Sequence, residues 1–337
     1  MLVWVKFAIC LAVIVIAGTR LSKYGDLIAH KTGLGRIWIG VILLATATSL
    51  PELATGISSA TLIGKPDLVL GDLFGANLMN LGIIALLDLL YRHGPVLRFL
   101  GTGIVLTTIL SAMLIATAAI FLYIAQNVSS LGIMNYVGLY SIIFLCFYLL
   151  AQYILFRFER AQQGQASDNE NELVADGEDM SLKKISVFFT IAALVTVGAG
   201  TWLGFIGNEI SEVTGLTASF VGTLFLAICT TAPEMTVSIS ALRLGALDMA
   251  VGNLVGSCLF NLGIIIFVSD LFYAAGPIFS YVSLDHISTA LFAVLMCCVV
   301  IIGLIFQPRS WPRTWVGVDT TILAILFLGA FAALYFM

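Results

Sequence analysis

The chain has 337 residues, 60 % of them hydrophobic and only 10 % charged, with a formal net charge of −4. A soluble domain carries about 25 % charged residues, so a soluble enzyme or a nucleic-acid-binding module is excluded and an all-α polytopic membrane protein is expected. The acidic excess is concentrated in one loop and says little by itself.

In chain order, apolar segments fall at about 2–20, 36–63, 68–91, 99–123 and 133–156, then, past a polar interval at 158–183, at about 185–205, 217–242, 246–272, 286–306 and 315–337. Each is long enough to cross a bilayer, which takes about 20 residues. The first resembles a signal peptide, but Gly18-Thr19-Arg20 is a poor cleavage site, so it reads as the first span. Six cysteines, at 10, 146, 229, 258, 297 and 298, lie in apolar runs without metal-site spacing and read as small packing residues; Cys229 stands beside a polar cluster.

Ten spans divide the loops between two sides. One side carries Arg20, Lys23, Lys31, Arg36, Arg92, Arg98, Arg157, Arg160, Lys183, Lys184, Arg243, Arg309 and Arg313; the other carries only Lys6 and Lys65. The positive-inside rule puts both termini outside and the 158–183 loop in the cytoplasm, in a plasma or inner membrane. That loop holds Glu159, Asp168, Glu170, Glu172, Asp176, Glu178 and Asp179 and suits a flexible linker.

The halves repeat. At a shift of 182, Gly18-Thr19 falls on Gly200-Thr201, Gly40 on Gly222 and Pro51-Glu52 on Pro233-Glu234; at 181, Gly71, Gly75 and Asn80 fall on Gly252, Gly256 and Asn261. Five spans per half is an odd number, so the second half enters the membrane from the opposite side: two inverted five-helix repeats, 1–157 and 184–337, joined by the linker 158–183.

The organising stretch is Thr48-Ser49-Leu50-Pro51-Glu52, in the middle of the second apolar segment, matched by Thr230-Thr231-Ala232-Pro233-Glu234. Proline lacks an N–H and frees a helical carbonyl four residues back. A mid-membrane carboxylate costs about 2.5–3.5 kcal/mol on insertion scales. Carboxylate, hydroxyls and a loose carbonyl make a hard-oxygen cluster of the kind Ca²⁺ and Na⁺ take. Glycine-rich segments, Gly71 to Asn80 and Gly252 to Asn261, let helices approach closely, which brings the Asn80 and Asn261 carbonyls toward the glutamates. Two carboxylates match one Ca²⁺, two Na⁺ or two protons. Left empty and ionised they resist crossing, which is the physical basis of obligatory exchange. Asp72, Asp88 and Asp270 lie toward span ends, where solvated or interfacial positions are expected; Asp72, on the outer side, is placed to attract cations into a funnel.

At these residues the chain resembles the calcium:cation antiporter superfamily, whose best-known members are the sodium/calcium exchangers. The Pro-Glu stretches are similar to that family's two signature repeats, and the likeness covers essentially the whole chain. It implies a Ca²⁺ site at Glu52 and Glu234, lined by Asn80 and Asn261. It implies Na⁺ sites built from Thr48, Ser49, Thr230, Thr231 and Ser257 with main-chain oxygens near Ala45 and Ala227. The family usually has Gly where this chain has Ala47 and Cys229, Ser where it has Ala76, and often Asp where it has Asn261.

The expectation is a Ca²⁺ exporter driven by inward Na⁺, with H⁺ coupling, or another divalent ion, as the alternative. No resident cofactor is expected; the transported Ca²⁺ and Na⁺ or H⁺ are substrates. The partners expected are inorganic cations and the lipid bilayer, with no nucleic acid and no obligatory protein partner. An intramembrane enzyme using paired carboxylates fits the inverted Pro-Glu pairs poorly, and a passive channel differs in showing no stimulation by the opposing ion.

Overall fold

The computed structural model describes residues 1–32, 45–91, 93–127, 132–133, 137–163, 180–306 and 317–336. It is almost wholly helical. Within a bilayer a backbone must satisfy its own hydrogen bonds, and apolar runs of this length do so as helices.

The helices are α1 (Leu2–Thr32), α2 (Leu50–Ser58), α3 (Pro66–Leu90), α4 (Thr102–Asn127), α5 (Leu139–Gln163), α6 (Leu182–Thr214), α7 (Ala218–Val221), α8 (Ala227–Thr230), α9 (Ala232–Arg243), α10 (Leu247–Phe260), α11 (Ile266–Phe272), α12 (Asp285–Ile305) and α13 (Val318–Phe336). Wide π turns at Gly222–Leu226 and Asn261–Ile265 continue α7 into α8 and α10 into α11, and a third at Ser59–Ile63 extends α2. Among the described residues eight helices are long and apolar enough to cross a membrane, and the bent run Ala218–Thr230 plus Ala232–Arg243 makes nine when taken as one span. Of the expected span at 36–63, residues 36–44 lie outside the described residues, as do residues 164–179 of the acidic interval. The interval's expected ends are themselves helical, since α5 runs to Gln163 and α6 begins at Leu182. With these apolar helices the chain is an integral membrane protein.

α3 and the run α10–α11 form the centre, with 72 % of their apolar stretches buried against 28 % for α1 and α6. Leu194 on α6 and Leu328 on α13 turn outward at 68 % and 67 % exposure, as helix faces meeting lipid chains do. α1 and α6 pack along each other, α2 lies on α6, and α4 lies on α12. At the heart of the molecule α3 meets the π turn. A Cβ on Gly71 would sit 2.9 Å from Gly222 Cα, and one on Gly75 would clash with Thr223. The glycine spacing is therefore a contact between two backbones, as small-residue stripes allow.

Asp88 and Asp270 correct an expectation. Neither is solvated: their exposures are 3 % and 0 %. Each carboxylate receives donors from chain starts that would otherwise be orphaned. Asp270 accepts from the N–H groups of Gly138 (2.7 Å) and Ile278 (2.6 Å) and from the hydroxyls of Tyr140 (2.8 Å) and Ser141 (2.6 Å). Asp88 accepts from the N–H groups of Val96 (2.6 Å) and Gly317 (3.4 Å) and from the Thr320 hydroxyl. Uncapped helix starts carry unsatisfied N–H groups and a positive dipole end, and a carboxylate answers both. Asp88 thus caps α13 from the first half of the chain, and Asp270 caps α5 from the second.

Candidate functional site

The two Pro-Glu stretches break their helices in the same way. Residues 45–48 are helical, Ser49 is a turn, and α2 starts at Leu50 with Pro51 in its first turn. In the second stretch α8 ends at Thr230 and α9 starts at Ala232, with the two runs bent by 44°. Proline explains the break, having no N–H to give and no room for the preceding turn. Ser49 N–H still reaches the Ala45 carbonyl (2.9 Å) and Thr231 N–H the Ala227 carbonyl (3.0 Å).

Each glutamate therefore stands in the first turn of a half-helix, Glu52 in α2 and Glu234 in α9, and both are wholly buried. Both Glu52 oxygens lack a hydrogen-bond partner, and so does Oε2 of Glu234. Oε1 of Glu234 accepts from Ser49 Oγ at 3.3 Å, across the two halves of the chain. Thr230 lies beside Glu52, and Thr48 and Ser257 lie beside Glu234. The hydroxyls of Thr48, Ser49 and Thr230 thus stand against the carboxylate of the other half, while Ser257 stands against that of its own.

The remaining expected residues are all buried. Thr48 Oγ1 bonds back to the Ala45 carbonyl (3.1 Å), and Thr230 Oγ1 reaches the Ala227 carbonyl at 3.4 Å. The Ala45 and Ala227 carbonyls thus each accept two local bonds already, one from an N–H and one from a hydroxyl. The hydroxyls of Thr231 and Ser257 and both amide atoms of Asn80 have no partner. Asn261 donates Nδ2 to Asn77 Oδ1 at 3.3 Å and keeps an unpartnered Oδ1.

Two residues join this set that the sequence reading had set aside or passed over. Asp72, expected at a solvated span end, is 0 % exposed, and its Oδ1 accepts from Thr230 Oγ1 at 2.9 Å. It is within electrostatic reach of Glu52 and Glu234. Its position inside the Gly71–Gly75 close-packing stripe was the available signal, because a residue on a helix that touches another backbone is shielded from water. Asn77 was passed over; it stands three residues before Asn80, on the same helical face.

Buried polar groups are nearly always bonded, so this many orphan oxygens in one region calls for a ligand. Among the described residues no Lys, Arg or His pairs with Glu52, Glu234 or Asp72. No three His, Cys, Asp or Glu side chains among them converge closely enough to hold a metal by themselves. The set is mixed: carboxylate, amide and hydroxyl oxygens, the donors of hard cations rather than of zinc or copper. The cysteines are free, and four of the six are buried.

The chain matches the family described as "Sodium/calcium exchanger protein" over residues 2–156 and 184–337. It belongs to the sodium/calcium exchanger family. The sodium/calcium exchanger MaX1 of Methanosarcina acetivorans is 28 % identical over 91 % of each chain. Two solved structures share the fold. The H⁺/Ca²⁺ exchanger CAX superposes with a TM-score of 0.65 at 13 % identity, covering 98 % of this chain and 88 % of that one. The sodium-calcium exchanger NCX_Mj superposes with a TM-score of 0.62 at 16 % identity, covering 98 % of both chains. The family match breaks between 156 and 184, where the acidic interval lies.

Proposed function

We propose that this exchanger-family protein is a ten-span antiporter that exports Ca²⁺ in exchange for Na⁺ by alternating access, the cation held between Glu52 and Glu234. The observation that carries the reading is the pair of wholly buried glutamates with three orphan oxygens between them and no basic partner among the described residues. Family membership and the likeness to a relative named a sodium/calcium exchanger support it.

The mechanism follows from charge. Two ionised carboxylates in a low-dielectric centre repel each other and lack solvation, so the empty site resists passage from one side to the other. A Ca²⁺, or two Na⁺, cancels that charge. The loaded protein crosses between outward- and inward-open forms; the empty one waits for the next ion. Thr48, Ser49, Thr230, Thr231 and Ser257 complete smaller oxygen cages for Na⁺, and Asn80 and Asn261 add neutral carbonyl ligands to the centre.

Reciprocal contacts support two inverted five-helix repeats, 1–157 and 184–337. Gly18 lies against Pro233 and Gly200 against Pro51; Ser49 reaches Glu234 and Thr230 lies beside Glu52. In our reading the termini are outside and the 158–183 linker is cytoplasmic.

A second reading, H⁺ in place of Na⁺, draws on two features. Ala76 offers no hydroxyl, and the side chain at Asn261 carries no charge. Proteoliposomes loaded on one side with Na⁺ at clamped pH, then with a pH gradient in Na⁺-free medium, separate the two. Radiolabelled Ca²⁺ uptake is expected to follow the Na⁺ gradient; uptake that ignores Na⁺ and follows pH assigns the proton.

A further inference from the structure

Two buried glutamates account for a charge of −2, and the centre holds a third carboxylate. Asp72 is 0 % exposed, its Oδ2 has no hydrogen-bond partner, and Oδ1 is met only by the Thr230 hydroxyl. Its sequence counterpart in the second half is the neutral Asn253, whose Nδ2 bonds Ser238 Oγ at 3.4 Å. The acidic surplus therefore belongs to one half alone. An isolated buried carboxylate is costly unless a cation or a dense set of donors meets it, and Asp72 has one donor where Asp270 has four.

We propose that Asp72, with Thr230, forms a further cation site beside the glutamate centre, and that it takes a monovalent hard cation, Na⁺, which stays bound whether the centre holds Ca²⁺ or Na⁺. The inference rests on the two-glutamate reading and extends it. Its logic is the same charge balance applied once more. With Ca²⁺ between Glu52 and Glu234 the glutamates are neutralised and Asp72 is still −1; with two Na⁺ there the same −1 remains. One monovalent cation closes the balance in both states, whereas a divalent ion on a single carboxylate overshoots it by one charge. The geometry suits this division. The Thr230 proton is given to Asp72 Oδ1, so the lone pairs of that hydroxyl are free for a cation, and Oδ2 supplies the anionic ligand. A cation at Asp72 is thus a passenger in both directions and is not itself exchanged.

The test is Ca²⁺-for-Ca²⁺ exchange, which needs no Na⁺ gradient. Proteoliposomes carry Ca²⁺ on both sides at fixed pH in a choline medium, and radiolabel movement is followed as Na⁺ is added equally to both sides at concentrations too low to displace Ca²⁺. The wild-type exchange rate is expected to rise several-fold with Na⁺. In Asp72→Asn, which places the residue found at the counterpart position, the rate is expected to be insensitive to Na⁺. Wild-type exchange indifferent to Na⁺ overturns the proposal, as it does if Asp72 simply keeps a proton; so does Na⁺ stimulation that survives in Asp72→Asn.

A second measurement covers a variant that fails to fold. In purified Glu52→Gln/Glu234→Gln protein, where the centre is neutral, Na⁺ but not choline is expected to raise the thermal midpoint, since a ligand that binds only the native state stabilises it. No Na⁺-dependent rise there overturns the Asp72 site. Failure of the two-glutamate reading shows differently, as unchanged Ca²⁺ exchange in that same double variant.

Discussion

Gly200 on α6 lies against Pro51, so that a Cβ added there would stand 2.8 Å from the Pro51 carbonyl oxygen; its sequence counterpart Gly18 on α1 meets Pro233 in the same way, at 2.5 Å from Cγ. The two long helices that pack along each other thus touch the two helix breaks that present the glutamates. Neither contact leaves room for a side chain, and the partner atoms are backbone or a proline ring that cannot swing aside. Overpacking of this kind costs about 1–3 kcal/mol. Gly200→Leu and Gly18→Leu are each expected to cut initial Ca²⁺ uptake at least tenfold, measured in proteoliposomes of equal protein content. Uptake at the wild-type rate in both would show that these contacts do not position the site.

Asp270 and Asp88 predict stability rather than transport. Hydrogen bonds to a charged group are worth about 1.5–3 kcal/mol each, and Asp270 holds four donors where Asp88 holds three. Replacing either by Asn removes the charge and turns an NH₂ toward N–H groups. Thermal unfolding in detergent should show both variants destabilised, Asp270→Asn more than Asp88→Asn. An unchanged midpoint in Asp270→Asn would mean that the cap contributes nothing net.

These two aspartates also mark where the sequence ceased to be readable. The apolar runs announced the helices, and paired prolines announced the breaks, because both are local properties of the chain. Burial of Asp72, Asp88 and Asp270 is not local. It depends on which other chain segments arrive: Gly138 and Ser141 at Asp270, Gly317 and Thr320 at Asp88, Thr230 at Asp72. A carboxylate near the end of an apolar run reads as solvated until the capped helix start is known. Glu52 and Glu234 escaped that ambiguity because their place in mid-span left no solvated alternative. The π turns at Gly222–Leu226 and Asn261–Ile265 had no signal at all, since their residues suit an ordinary helix equally well.

Glu52→Gln and Glu234→Gln should each abolish exchange while making the ion-free protein more heat-stable. The reason is that both carboxylates are buried with orphan oxygens, so the ion-free protein carries charge that it does not satisfy, and a neutral amide relieves it. Losing one partner of a buried charged contact costs about 3–5 kcal/mol, which would remove Ca²⁺ binding from the measurable range. Melting curves with and without Ca²⁺ check both signs at once. Wild-type protein should rise with Ca²⁺, and each variant should start higher and not move. A variant that starts lower and still responds to Ca²⁺ would defeat the assignment.

Asn261 offers the sharpest probe of what sets ion choice. Its Nδ2 donates to Asn77 Oδ1 at 3.3 Å, leaving Oδ1 free. Asn261→Asp exchanges that donor for a second acceptor and sets two oxygens against each other unless a cation intervenes. It also raises the negative charge of the centre by one. The added carboxylate should tighten Ca²⁺ binding, because a divalent ion gains more from it than a monovalent one does, and it should slow release for the same reason. Equilibrium Ca²⁺ binding is therefore expected to strengthen about tenfold or more, an effect of about 1.4 kcal/mol per factor of ten, while maximal flux falls. Asn77→Ala separates the two contributions, since it removes the Oδ1 that Asn261 holds and adds no charge: affinity should weaken slightly and flux should change little. Equal effects from the two substitutions would mean that Asn261 acts by holding the Asn261–Ile265 turn to α3, and that its oxygen is not turned to the ion.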